Sequence, residues 1–294
     1  MKIAIYGREF HSSVIPYVRQ LFGFLVSREA ELHIFDQFHQ FLDQHLLCQE
    51  GFHTFSGNER LSPDFDLMLS LGGDGTMLAA VSIVGDSGVP VAGINFGRLG
   101  FLAGINKNDI EESMEAVLSG DYKMDRRALL SVQSPDSDLF GERHFALNDI
   151  TVFKYDSSAM ITVEAHLDGE LLNSYWADGL IIATPTGSTA YSLSCGGPII
   201  MPRSSNFVVT PASPHNLNVR PVVISSDSVL DLNIESRSGR YLLTCDSRTD
   251  SFETHVRLQI RKAEFEVNLI RLKSERYFET LRNKLLWGLD ARNY

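Results

Sequence analysis

The feature that most constrains this chain is a change of hydrophobic period near Met124. Before it, strand and helix signals alternate. Lys2 to Tyr6 reads as a buried strand stopped by Gly7, and Val14, Val18, Leu21 and Leu25 then recur at helical spacing, with Pro16 tolerable in a first turn. Glu31 to Phe35 is a second strand candidate, and Phe41, Leu42, Leu46 and Leu47 suggest another helix. Asp66 to Leu71 is a third strand running into Gly72-Gly73, with a helix from Met77 to Val84 after it. Pro90 to Asn95 is a fourth strand, and Asp109 to Ser119 a helix with an acidic start and Gly120 as its stop. Repeated strand–helix units predict a parallel sheet. From Leu129 to about Leu272 strand runs dominate and helical period is almost gone. Met160 to Leu167 and Glu170 to Tyr175 flank Asp168-Gly169, a two-residue hairpin signal. Val219 to Ser225, Val229 to Glu235, Tyr241 to Cys245 and Val256 to Ile260 continue the β character. The expectation is an α/β Rossmann-like domain over 1–124 and an all-β domain over 125–274. A helix over 275–294, with Phe278, Leu281, Leu285 and Leu286 on one face, is expected to pack back on the first domain.

A length of 294 residues accords with two domains at roughly 100–200 residues each. The net charge of −11 argues against a nucleic-acid or anionic-membrane surface. It also means that any phosphate site must rely on backbone N–H groups, a metal and a few placed cations. Cys48, Cys195 and Cys245 lie far apart with no C-x-x-C pair, which argues against a disulfide framework or structural zinc. No signal peptide or run of 18 apolar residues is present, so a reduced, cytoplasmic protein without a membrane span is expected.

Three segments carry chemistry. In LSLGGDGTML an apolar strand ends in Gly72-Gly73-Asp74-Gly75-Thr76 and a helix follows. Glycines there let backbone amides approach a phosphate, and Asp74 falls at the carboxyl end of a strand, where open α/β sheets bind ligands. The same pattern also suits a tight turn with Asp74 as helix N-cap. In ADGLIIATPTGSTAYSLSCGGP a short strand leads into six Ser/Thr hydroxyls, from Thr184 to Ser194, among three glycines. These offer groups to a sugar–phosphate, or simply form a hydroxyl-rich loop. In HFALNDITVFK the pair Asn148-Asp149 can bind ribose hydroxyls or an adenine amino group, or make a turn or bulge. The nine histidines show no metal-binding spacing such as H-E-x-x-H, and each reads as a surface or packed residue. Cys195 has no adjacent activating cation or histidine and reads as structural.

Taken in order, Gly72 to Thr76, Asn95 to Leu102, Asn148-Asp149, Ala177-Asp178-Gly179, Thr184 to Ser194, Gly196-Gly197-Pro198 and Pro214 to Leu217 with Arg220-Pro221 resemble the NAD kinase family, bacterial ATP-dependent type. Gly-Gly-Asp-Gly-Thr alone is shared with diacylglycerol and sphingosine kinases; the Thr184–Pro198 block is more specific. The resemblance implies transfer of the γ-phosphoryl of ATP to the 2′-hydroxyl of the adenosine ribose of NAD, giving NADP, with Mg²⁺. It implies Asp74 as general base, Gly72, Gly73, Gly75 and Thr76 on phosphate, and Asn148, Asp149, Asp178, Thr186, Thr189, Ala190, Tyr191, Ser192, Leu193 and Ser194 on nucleotide. No protein metal ligand is nominated. The family is usually homo-oligomeric, so a homodimer or homotetramer is implied. A lipid kinase, a non-catalytic NADP(H) sensor and a polyphosphate donor remain open alternatives. In many relatives Glu stands where Asp149 does, Arg where Trp176 does and Gln where Arg248 does.

Overall fold

The computed structural model describes residues 1–49, 51–57, 60–97, 100–156 and 159–287. Two compact units emerge, one of Met1–Arg126 with the chain from Val267 onward, the other of Arg127–Glu266. The strands Tyr122–Gln133 and Leu258–Leu272 contribute residues to both.

The first unit is built on a parallel sheet. Its strands run in the order Leu258–Leu272, Val91–Asn95, Leu67–Leu71, Lys2–Gly7, Glu31–Phe35 and His53–Phe55, with Ile105–Asn106 also on Val91–Asn95. Leu67–Leu71 and Val91–Asn95 are buried at every residue. Strands covered on both faces read as continuous apolar runs, which is why these two were legible without alternation. The helix Ile15–Ser27 buries Val18, Leu21, Phe22 and Leu25 on one face, with Pro16 in its first turn. Asp36–Gln44, Asp74–Val84 and Ile110–Leu118 follow their strands. The Asp36 helix starts earlier than its apolar residues suggest and ends before Leu46 and Leu47; Leu46 has a left-handed φ of 53°. The C-terminal helix spans Tyr277–Leu285 and groups with this unit. Of its expected apolar face only Leu281 is buried, while Phe278 and Leu286 are exposed. Residues 288–294 of the expected helix lie outside the described residues.

The second unit is a sandwich of two antiparallel sheets. One runs Glu170–Ala177, Ile161–Leu167, Leu230–Glu235, Leu258–Leu272. The other runs Val222–Ser225, Asn206–Ala212, Gly179–Ala183, Asp149–Lys154, Arg240–Cys245, Arg248–Glu253. Period-2 alternation sends Leu180 and Ile182 into the core between the sheets, with Val152, Val163 and Leu232. Ile181 and Ala183 face the other way, into a smaller apolar layer with Ile200, Val208 and Cys195. That layer seats the Thr184–Pro198 segment. Asp168 and Gly169 have φ of 52° and 86°, the left-handed pair that a two-residue hairpin requires. No helix of the described residues is long and apolar enough to cross a membrane.

Candidate active site

Two clusters of the expected residues form, one in each unit. In the first, Gly72 has φ of 153°, and a Cβ there would fall 2.4 Å from Thr76 Oγ1, so only glycine fits the end of the Leu67–Leu71 strand. Gly73 is the N-cap of the Asp74–Val84 helix, and no side chain caps that end. The capping alternative for Asp74 is therefore not realised. Its carboxylate reaches across to a later stretch of chain. Oδ2 accepts from Phe101 N–H at 2.8 Å, and Oδ1 from Leu102 and Ala103 N–H at 3.0 and 3.3 Å. A Cβ on Gly100 would sit 1.8 Å from Asp74 Oδ1, so the approach needs glycine at 100 as well. The same segment is held by Arg271, whose Nη2 donates to the Phe101 carbonyl at 2.8 Å while Nη1 meets Glu275 at 3.2 Å. Arg98 and Leu99, part of the motif here, lie outside the described residues.

Gly73 and Gly75 contrast with Gly72. A Cβ at either would meet nothing within 4 Å. Packing does not demand glycine there; open space does lie over the turn, at the N-terminus of an 11-residue helix whose first amides have no helical acceptor.

In the second cluster Asp246, which sequence patterning did not nominate, is the organising residue. It occupies a tight turn between Arg240–Cys245 and Arg248–Glu253 with φ of 53°. Its Oδ2 accepts from Leu147 N–H at 2.8 Å, and its Oδ1 from Asn148 and Asp149 N–H at 2.8 and 3.3 Å. Asp246 N–H returns a bond to the Asp149 carbonyl at 3.0 Å. Arg248 donates from its guanidinium to the carbonyls of Arg143 and Phe145 and lies over the Phe145 ring, so this departure from the family pattern braces the approach to Asn148.

The pair held this way has free polar groups. Among the described residues neither the Asn148 side-chain amide nor the Asp149 carboxylate has a hydrogen-bond partner, although Asp149 is only 7% exposed. Burial, reinforced by the charge of Asp246, pushes the Asp149 carboxyl up to about 7. Burial also raises Asp246, against the three N–H donors and Arg248. Asp178 pairs with Lys154 at 2.6 Å. Tyr191 stacks on Phe153 with ring centroids 5.7 Å apart, and burial together with the charges of Cys195, Asp178 and Asp149 raises its hydroxyl. Asp149, Asp178 and Tyr191 therefore share one neighbourhood. Burial and Asp149 raise the Cys195 thiol as well, so it is no thiolate nucleophile at neutral pH.

The hydroxyls divide. Thr184, Ser188 and Ser192 are fully buried and bonded internally, to Leu147 O, to Pro185 O and to Thr210 Oγ1. Thr186 Oγ1 accepts from Arg127 Nη1 at 3.0 Å, and Thr189 donates to the Thr186 carbonyl at 3.2 Å. Ser194 and Tyr191 are exposed, and Ala190 and Leu193 partly so. Gly187 lets the loop touch Asn148: a Cβ there would lie 2.0 Å from the Asn148 carbonyl oxygen.

Comparison with known proteins decides the family. The ATP-NAD kinase N-terminal domain family matches residues 3–122, and the ATP-NAD kinase C-terminal domain family matches residues 147–272. The chain belongs to the NAD kinase family. An NAD kinase of Cytophaga hutchinsonii is 46% identical over 294 residues, covering 100% of both chains. One from Flavobacterium johnsoniae is 45% identical with the same coverage. Among solved structures, yeast NADH kinase complexed with NADH superposes with a TM-score of 0.83 at 25% identity, covering 100% of this chain and 90% of that one. An Archaeoglobus fulgidus NAD kinase in complex with ATP shares the fold, with a TM-score of 0.70 at 24% identity over 97% and 99% of the two chains. As in those NAD kinases, an α/β unit with a parallel sheet is joined to an antiparallel β unit.

Proposed function

We propose that this enzyme transfers the γ-phosphoryl of ATP to the 2′-hydroxyl of the adenosine ribose of NAD, using Asp74 on the acceptor hydroxyl and Asn148-Asp149 on the dinucleotide. Membership of the family carries ATP-dependent NAD phosphorylation. The observation that supports the residue assignment is the nearly buried Asp149 carboxylate left without a hydrogen bond beside an equally unbonded amide. The chain spends neither side chain on its own structure, so both stay available to a ligand. Ribose hydroxyls and an adenine amino group match it.

At the other cluster, a carboxylate offers about four lone-pair positions, and three of Asp74's are taken by Phe101, Leu102 and Ala103. One is left for a hydroxyl, with its direction set by the other three. Asp74 orients the acceptor and receives its proton as the new P–O bond forms. Gly73 and Gly75 give amides to phosphate oxygens; of the other two residues expected there, Gly72 N–H donates to the Ile94 carbonyl at 2.9 Å and Thr76 N–H to the Gly73 carbonyl at 3.0 Å, so both shape the turn instead. Magnesium arrives as Mg–ATP and neutralises phosphate charge. The described residues around the turn form no carboxylate cluster for an all-protein cage, which accords with Mg²⁺ held mainly by substrate phosphates. Exposed Tyr191 and Ser194, with the partly exposed Thr189, Ala190 and Leu193 and with Asp178, contact nucleotide. Thr186 and Ser192 act by holding the loop. We place the enzyme in the cytoplasm as a homodimer or homotetramer, on the strength of the resemblance and of three free cysteines.

Purified chain given NAD and Mg–ATP is expected to form NADP, and chelation to stop it. Phosphorylation of a diacylglycerol but not of NAD would instead favour the lipid kinase, and NADP binding without turnover the sensor.

A further inference from the structure

Glu31 and His33 stand two residues apart on one strand of the first unit, so their side chains share a face. His53 is the registered partner of His33 on the parallel edge strand His53–Phe55, and so lies on that face too. The two imidazole rings stack with centroids 4.8 Å apart and planes inclined by 28°. Glu31 Oε1 lies 2.6 Å from His33 Nε2, and one ligand atom from each of the three residues falls within 4.8 Å of the others. Among the described residues this is the one grouping of its kind. The histidine spacing in the sequence points to surface or packed residues because the ligands come from two strands separated by a helix.

We propose that Glu31, His33 and His53 bind a borderline divalent transition-metal ion, Zn²⁺ in the first instance, with water completing its coordination. Two imidazoles and a carboxylate are the donor set that zinc takes at three-ligand sites, with bonds of about 2.0–2.2 Å. Donors on a tetrahedral ion of that size stand about 3.4 Å apart. The 2.6 Å Glu31–His33 edge therefore has to open and any wider separation to close, and Glu31 and His53, both exposed, are free to turn. His33 is the anchored member: its ring meets the edge of Phe65 at 5.0 Å and 88°. Phe65 in turn lies under the Lys2 ammonium at 4.6 Å, giving the site an apolar wall. A bound ion ties a three-residue edge strand to its neighbour and closes the loop between them. Mg²⁺, which prefers oxygen ligands and keeps its waters, does not suit this donor set, so the site is separate from the Mg–ATP chemistry.

The test uses the full chain, stripped with a chelator, without ATP. Calorimetry with Zn²⁺ is expected to show one equivalent bound, with Tm rising as Zn²⁺ is added. Glu31→Gln and His53→Gln, both at exposed positions, are each expected to raise Kd at least about 10-fold and to remove the Tm rise, while NADP formation with Mg–ATP stays at the parental level. Failure of the parent to bind, or unchanged Kd in both variants, overturns the proposal, the latter because the ion then sits elsewhere. An equal Tm rise with Mg²⁺ overturns it too.

Discussion

Asp74 in the first unit and Asp246 in the second each gather three consecutive backbone amides from a distant stretch of chain. The geometries almost coincide: 2.8, 3.0 and 3.3 Å to Phe101, Leu102 and Ala103, against 2.8, 2.8 and 3.3 Å to Leu147, Asn148 and Asp149. What surrounds the brackets differs. Asp74 opens a helix beside two glycines with empty space above them. Asp246 sits in a hairpin turn, its carboxylate enclosed, with the second carboxylate of Asp149 close enough to repel it. One hydrogen-bond pattern thus serves two ends. In the first unit the carboxylate that holds the loop is itself proposed to touch substrate. In the second the holding carboxylate stays behind, and the residues it holds, Asn148 and Asp149, are the ones proposed to touch the ligand.

The comparison breaks most visibly at Asp74. A positioned general base contributes about 10²–10⁴-fold in rate. Asp74→Asn is expected to lower kcat by at least the bottom of that range. The substitution also turns an amide NH₂ toward Phe101 or Leu102, so amide exchange at 101–103 is expected to quicken. Faster exchange with kcat intact would make Asp74 a loop brace like Asp246 and nothing more.

The second unit is tested by pH. Asp149 is raised from an ordinary value near 3.9 to about 7. Below pH 4 the group is protonated whether the chain is folded or not, and it costs the fold nothing. Between about 4 and 7 the unfolded chain ionises while the folded one keeps its proton, so stability falls as pH rises. Above 7 the full penalty of up to about 4 kcal/mol is in place. Asp149→Asn removes it. Urea midpoints are expected to show the variant more stable than the parent at pH 8, with the gap closing toward pH 4. NAD affinity is expected to move the opposite way, lost in the variant and, in the parent, improving as pH rises through 7. A variant no more stable at pH 8 would mean that Asp149 is not the strained partner of Asp246.

Legibility follows the same divide. The Gly72–Thr76 turn was readable because both of its constraints are local: an apolar strand ends and glycines follow. The parallel sheet was readable from runs such as Leu67–Leu71, buried on both sides. Asp246 was not readable. Its turn uses Asp with a left-handed φ where hairpin signals favour glycine, and the strand after it, Arg248–Glu253, is polar and at a sheet edge. Nor does a hydroxyl announce its partner. Thr184, Ser188 and Ser192 look like ligand groups in the sequence, and only the fold reveals them bonded to Leu147, Pro185 and Thr210. Arg271, which fixes the Phe101 carbonyl, comes from 170 residues away.

The smallest expected effect sharpens the comparison furthest. Gly75 lies in the first turn of the Asp74–Val84 helix, and a methyl group there would meet nothing within 4 Å. Alanine is the better helix former by up to about 1 kcal/mol. By the logic of folding alone, Gly75→Ala should be neutral or should raise Tm by a few degrees. If the empty space belongs to a phosphate, the same methyl group stands where an oxygen must approach the backbone, and KM for ATP should rise while stability holds or improves. NAD affinity should stay near its parental value, since the dinucleotide is assigned to Asn148 and Asp149. A variant that gains stability and keeps its KM for ATP would leave Gly75 without a ligand to explain it, and the assignment of the turn to phosphate would then rest on Gly73 and the helix N-terminus alone.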